Sequence, residues 1–369
     1  MAQMGGVGGV GGVGGVGGVG GVGGVGGVGG GTNVTGIGSF LGQQDPGGYD
    51  GTTTYGLQTT AEALRHLTLG GTGASTAELP FDSTDTMSGM AIWVRGSLYL
   101  SSFLSGATVT TDPAAKTVTL RADGAPVFTA TRPNNALLRD QCDFVADYAS
   151  LRADRSAEVI SQLGFPTAYF AMVLGLNTSQ ASKTFELITA TQVMAAHVAM
   201  MLKHPLAIRR PDQMDPRLMP MIPVPGHGSF PSAHATEAYA VMTVIKALMT
   251  QWGTLSDLPQ RIAALRALAE RITVNRTIAG VHYPIDSWCG ATLGRITGQI
   301  ILNRCGVATD IKPSRYVPGH VDFFDEDLQD PTKALAAGLA PTAGPAVQPA
   351  KAQAFEWIWQ QALDEKQGV

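Results

Sequence analysis

The sequence predicts an all-α helical bundle with a small β-containing N-terminal portion. Three observations predict it. Helical periodicity sets in at Asn135 and persists to residue 304, prolines stand at 166, 231 and 284 where helices can begin, and segments of alternating apolar and polar residues come before Arg132. Proline is tolerated at a first helical position because the N–H it lacks would have had no partner there. With 369 residues, 44% of them hydrophobic, the chain can bury one large core or two modest ones.

From Gly5 to Gly31 the chain repeats Gly-Gly-Val, with valines at 7, 10, 13, 16, 19, 22, 25 and 28. Glycine loses the most entropy on ordering, and lone valines are too small to offset that loss. No proline pre-sets the geometry a collagen-like helix needs. Residues 1–31 are therefore expected to form a disordered Gly-Val tail. Residues 32–132 form an irregular and β-hairpin region. It has one short helical candidate at Thr60–Leu67, then alternating segments at Ser97–Phe103, Ala107–Thr111, Lys116–Leu120 and Val127–Thr131. Asp112-Pro113 and Asp123-Gly124 supply turns, so a small antiparallel sheet or pair of hairpins is expected.

Residues 133–309 make the helical catalytic domain, with helices expected at 135–163, 166–176, 180–203, 232–252, 257–278 and 284–304. Residues 310–369 form a C-terminal arm with prolines at 313, 318, 331, 341, 345 and 349. It ends on an amphipathic helix, Ala352–Lys366, bearing Phe355, Trp357 and Trp359. If exposed, these aromatics would favour a homodimer.

Composition narrows the partners. Lys plus Arg total 25 against 29 Asp plus Glu, a net charge of −4, so no basic excess points to nucleic acid. Any anion must be held by a local cluster of cations. Cys142, Cys289 and Cys305 are too few for a disulfide framework and form no C-x-x-C pair. The best membrane-span candidate, Leu187–Leu202, carries Thr189, Thr191, Gln192 and His197 and then meets Lys203, so a buried core helix and a soluble protein are expected. The N-terminus lacks a charged n-region and an apolar h-region, which speaks for the cytoplasm.

Three segments place polar groups where a bundle would otherwise bury carbon: Lys203 to Pro211, His227 to His234, and Arg276 to Asp286. Pro231 stops any preceding helix, and Ser232-Ala233-His234 would open the next. The unpaired N–H groups of that turn suit a tetrahedral anion, and Ser232 adds a hydroxyl. His234 is placed to act as a general acid or base. Gly280 can break the helix between Arg276 and His282, and Pro284 restarts it. Asp286, four residues after His282, can then return to the imidazole and fix its tautomer. Arg210 and Arg276 offer permanently charged forks, and Lys203 a point charge.

Taken singly, each fragment has a plainer reading: a surface ion pair, a satisfied core histidine, a helix cap. Their occurrence together, in order, is more specific. The set K-x6-R-P, P-S-x-H and R-x5-H-x3-D resembles the three-part signature of the type 2 phosphatidic acid phosphatases, the bacterial class A acid phosphatases and the vanadium-dependent haloperoxidases. The resemblance covers Lys203 to Asp286 and implies an all-α fold of the haloperoxidase/acid phosphatase type. One residue departs from the pattern: Ala233 stands where that superfamily's P-S-G-H has glycine, so a methyl group leans toward the anion pocket.

The resemblance implies roles. In a phosphatase, His282 would attack phosphorus, oriented by Asp286, and His234 would protonate the leaving alcohol. Lys203, Arg210, Ser232, the Ala233 amide and Arg276 would stabilise the oxyanion. In a haloperoxidase the same groups would hold vanadate as cofactor, with His282 bonded to vanadium, and hydrogen peroxide would oxidise a halide. The lipid phosphatases of the superfamily are membrane proteins and the class A enzymes are exported, which leaves the haloperoxidases. His227, five residues before Ser232, stands where similar haloperoxidases carry a histidine or phenylalanine beside the halide site. The expectation is a vanadium-dependent haloperoxidase-like enzyme acting on bromide. The alternative is a soluble acid phosphatase that hydrolyses phosphate esters through a phosphohistidine, and a further one is a non-catalytic anion-binding protein. Zinc and serine hydrolases are excluded by the lack of H-E-x-x-H and of G-x-S-x-G around Ser229.

Overall fold

A computed structural model describes residues 51–66, 78–176 and 181–365. The expected disordered tail, 1–31, lies outside the described residues. Among the described residues the first helix is α1 (Gly51–Leu64), longer and earlier than the Thr60–Leu67 candidate. Helix α2 (Ile92–Leu104) replaces the strand expected at Ser97–Phe103. The deciding pattern is the buried set Arg95, Tyr99 and Phe103, spaced four apart on one helical face. The short alternation inside it was too brief to separate the two periods.

Three strands follow as expected, β1 (Ala107–Asp112), β2 (Thr117–Ala122) and β3 (Ala125–Thr131), paired antiparallel in sequence order. Asp123 and Gly124 both take positive φ, 48° and 82°, as a tight Asp-Gly hairpin turn requires. The sheet does not stay within the N-terminal region. The arm adds β4 (Ser314–Tyr316), parallel to β3, and β5 (Leu339–Pro341), antiparallel to β4. Residues on either side of the helical segment thus share one mixed five-stranded sheet.

The helical segment runs through α3 (Asn135–Tyr148), α4 (Arg152–Ser161), α5 (Thr167–Leu174), α6 (Ser182–Leu206), the short α7 (Pro211–Met214), α8 (Ala233–Trp252), α9 (Leu258–Ile278) and α10 (Pro284–Arg304). The single helix expected over 135–163 is split by a 3₁₀ turn at Ala149–Leu151. Helices α6 and α10 are buried on nearly every side and form the centre of the bundle. By length and apolarity α6 could cross a membrane, but 83% of its most apolar window is buried within the fold.

Helix α10 packs unusually close to α8. A Cβ on Gly290 would lie 2.5 Å from the Ser232 carbonyl oxygen, on Gly294 2.4 Å from that of Thr236, and on Gly298 2.7 Å from Thr243 Cβ. Three glycines four apart on one face let the backbones approach, and this sets the P-S-x-H turn against the H-x3-D turn.

Beyond α10 come α11 (Asp325–Gln329), α12 (Pro331–Ala336) and α13 (Gln353–Asp364). Phe355 and Trp359 of α13 are buried, the Phe355 ring tilted 48° against Tyr99 and Trp359 donating its indole N–H to Gln251. Trp357 lies within cation–π distance of Arg95 and Lys183. Folding inward removes the ground on which these aromatics were expected to favour a homodimer.

Candidate active site

Helix α6 delivers Lys203 to the site and ends three residues later. Pro205 has no N–H to give Met201, and Ala207 closes the helix in a left-handed conformation at φ 47°. The chain then doubles back through Ile208, whose carbonyl accepts from Ser229 N at 2.8 Å. Gly228 sits against the same turn, and a Cβ there would be 3.4 Å from Ile208 and from the Lys203 carbonyl. Lys203 is almost fully buried and donates to the Gly228 and Ser229 carbonyls at 2.9 and 2.6 Å, which uses two of its three N–H groups.

The second segment enters α8 through Phe230-Pro231, a cis peptide bond. Ser232 is the N-cap, its hydroxyl accepting from Ala235 N at 3.4 Å, and the helix begins at Ala233. The amide of Ser232 donates to the Asp286 carbonyl at 2.9 Å, which joins the second and third segments directly.

In the third segment Gly280 takes φ 82° and ends α9, and Pro284 occupies the first turn of α10. Arg152 fixes this turn by donating to the carbonyls of Ile278, Met219 and Leu218 at 2.9, 2.8 and 3.0 Å. Asp286 Oδ2 does three things at once. It accepts from His282 Nδ1 at 2.8 Å, from Tyr283 N at 3.1 Å as a helix cap, and from the Ser229 hydroxyl in a very short bond. Oδ1 has no partner. Burial raises the Asp286 pKa, while the Ser229 hydroxyl and the nearby cations lower it.

A carboxylate on Nδ1 leaves Nε2 of His282 as the free nitrogen, and that atom lies 3.4 Å from Arg210 Nη1. Arg210 is itself held by the carbonyls of Val281 at 2.7 Å and His227 at 3.0 Å. Burial, then Arg210 and Lys203, push the His282 pKa well below its usual value, so the ring is neutral. His227 is half-buried, with Nδ1 3.2 Å from Arg210 Nη2, and burial with the same two cations lowers its pKa to about 4.

The remaining two residues, His234 and Arg276, share Gln162 as a partner. His234 Nε2 lies 2.7 Å from the carbonyl of Gln162, just past α4. Arg276 Nη2 reaches the Val159 carbonyl and the Gln162 side chain, both at 3.2 Å, while its buried Nε has no partner. Burial and Arg276 lower the His234 pKa to about 3. All nine residues expected from sequence, Ala233 and His227 included, are brought together.

Three others belong with them. Ser229 donates its hydroxyl to Asp286, a bond with no sequence signal. Gln162 is 72 residues from His234 in sequence and acts partly through its backbone, so no motif could reveal it. Glu237 could have been found: it follows Ala233 by four and His234 by three, on the same helical face, and is buried.

The fold brings three cations, a helix N-terminus and an oriented imidazole together, an arrangement whose chemistry suits a tetrahedral oxyanion. Residues 181–306 match the model of the PAP2 superfamily, and this segment belongs to that superfamily. The chain is also similar to decaprenylphosphoryl-5-phosphoribose phosphatase from Mycobacterium tuberculosis, in strains CDC 1551 / Oshkosh and ATCC 25618 / H37Rv. Each is 30% identical over 116 residues, which is 31% of this chain and 58% of the relative. The matched part thus spans less than two thirds of those relatives.

Proposed function

We propose that the chain is a phosphatase that hydrolyses phosphate monoesters through a phosphohistidine at His282. The observation that carries this reading is the 2.8 Å bond from His282 Nδ1 to Asp286, which leaves a neutral Nε2 beside Arg210. Its likeness to a phosphatase, matched in two strains of one organism, supports it over the haloperoxidase expectation.

Phosphate seats on the Ser232–Ala233–His234 turn, with its oxygens toward Lys203, Arg210 and Arg276. Nε2 of His282 gives its lone pair to phosphorus as the P–O ester bond breaks, and Asp286 stabilises the imidazolium that develops. His234 protonates the departing alkoxide. Its low pKa without anion reflects burial first and then Arg276. A bound dianion offsets that repulsion and lets the ring carry the proton. His234 then takes a proton from water, whose oxygen attacks phosphorus, breaks the P–N bond and frees phosphate.

The same donors, including the unpartnered Arg276 Nε, fit vanadate equally well, with His282 as its ligand. When bound, vanadate would supply peroxide-driven halide oxidation, with His227 near the halide.

The deciding measurement is release of inorganic phosphate from p-nitrophenyl phosphate, with the labelled enzyme intermediate trapped by alkaline quench. Turnover with label on His282 is the expected result. Bromide oxidation by peroxide after vanadate loading, without ester hydrolysis, would return the assignment to a haloperoxidase. Neither activity would leave the non-catalytic reading.

A further inference from the structure

Glu237 has no part in the chemistry above, yet it stands beside it. It lies on α8, one turn after Ala233 and His234. Helical side chains lean toward the helix N-terminus, which carries this carboxyl over the Ser232–Ala233–His234 turn where the anion would seat. The residue is 4% exposed, and among the described residues its carboxyl makes no hydrogen bond or ion pair. Two other buried carboxylates close directly on cations. Glu186 takes Arg95 at 2.6 and 2.8 Å, and Asp325 takes Arg266 at 2.7 Å. Buried polar groups rarely stay without partners, so a glutamate left open at this position is suited to a ligand.

Its electrostatic surroundings agree. Lys203 from α6 and Arg276 from α9 are the charged groups that act on it, and each lowers its pKa; His234 shares its helix. Helices α10 and α13, packed against α8, add no charged group to that set. Burial outweighs both cations and pushes the pKa up to about 8, so the carboxyl is neutral at pH 7 and has a proton to donate.

We propose that Glu237 is an anion-contacting residue of this site: its neutral carboxyl donates a hydrogen bond to a phosphate oxygen, and its ionised form repels the same oxygen. The proton stays on Glu237 throughout, and no bond is made or broken. This rests on the phosphatase reading, which seats phosphate on that turn. The consequence is an upper pH limit on anion binding that belongs to the pocket and not to the ester.

The test uses inorganic sulfate, which is tetrahedral and doubly charged across the range, so only the protein titrates. Binding is measured by calorimetry at about pH 6 and about pH 9 on the full chain and on Glu237→Gln, alongside p-nitrophenyl phosphate hydrolysis. The wild type should lose about tenfold in sulfate affinity between the two, as expected for a group titrating one unit below the upper pH. Glu237→Gln, neutral and still a donor, should lose about tenfold less affinity than the wild type over the same range, and Glu237→Ala should bind weakly at both. The other groups of the site titrate alike in wild type and Gln variant. The same pH dependence in both proteins, with hydrolysis intact, would overturn the role of Glu237 alone. No sulfate binding and no hydrolysis by the wild type would overturn it together with the phosphatase reading.

Discussion

The two histidines of the pocket are held in contrasting ways. His282 is gripped by a side chain four residues away on its own turn, and the same Asp286 oxygen caps α10 and takes the Ser229 hydroxyl. His234 is held by a backbone carbonyl 72 residues away, beyond the end of α4. A carboxylate fixes a tautomer and stabilises an imidazolium. A carbonyl fixes direction with little opposing charge, so the proton affinity of His234 is left to respond to an arriving anion. On the phosphatase reading proposed above, this contrast suits His282 to act as a nucleophile of fixed form and His234 as a proton carrier that its substrate switches on.

The largest expected effects probe this contrast directly. His282→Ala should reduce ester hydrolysis by about 10⁴-fold or more and abolish the labelled intermediate. His234→Ala should cost about 10²–10⁴-fold on an alkyl phosphate. Its cost on p-nitrophenyl phosphate should be far smaller, because that leaving group needs no proton. Losses of equal size on both esters would show that His234 is not the acid.

The legibility of the molecule divides along the same line. The His282 side was readable because its partners are close in sequence. The Pro231 and Pro284 helix starts fall at the expected turns, Gly280 breaks the chain where a positive φ is needed, and Asp286 returns to its histidine at the expected spacing. The expected helices beyond Pro231 agree with α8, α9 and α10 to within a residue or so. The His234 side was not readable, since Gln162 and Val159 act through carbonyls that any residue would provide. The sheet failed for a related reason. Pairing between β3 and β4 joins residues nearly two hundred apart, and three-residue strands such as Ser314–Tyr316 carry no periodicity to detect. In helix α2 a brief alternation masks the four-residue spacing of the buried Arg95, Tyr99 and Phe103.

A middle-sized effect tests what holds the two sides together. Gly294→Ala puts a Cβ 2.4 Å from the Thr236 carbonyl oxygen and 2.9 Å from Tyr239 Cβ, so α8 and α10 must separate. Overpacking costs about 1–3 kcal/mol, offset by up to about 1 kcal/mol of helix propensity. A net loss of about 1–2 kcal/mol is expected in chemical denaturation, with hydrolysis reduced as well. Unchanged stability would mean that the glycine stripe does not set the spacing of the two site turns.

The smallest expected effect isolates Gln162. Gln162→Ala removes the 3.2 Å contact to Arg276 Nη2 and the 3.0 Å contact to Asn275 Nδ2, but leaves the carbonyl that holds His234. A single hydrogen bond of this kind is worth about 0.5–1.5 kcal/mol net, or roughly 2- to 12-fold. Because Arg276 is proposed to bind the oxyanion and His234 to move the proton, the loss should fall on KM, with kcat nearly unchanged. The backbone bond would then account for His234 and the side chain for Arg276. If kcat falls as far as KM rises, the side chain must also be keeping the end of α4 in place for His234, and the carbonyl would not be enough on its own.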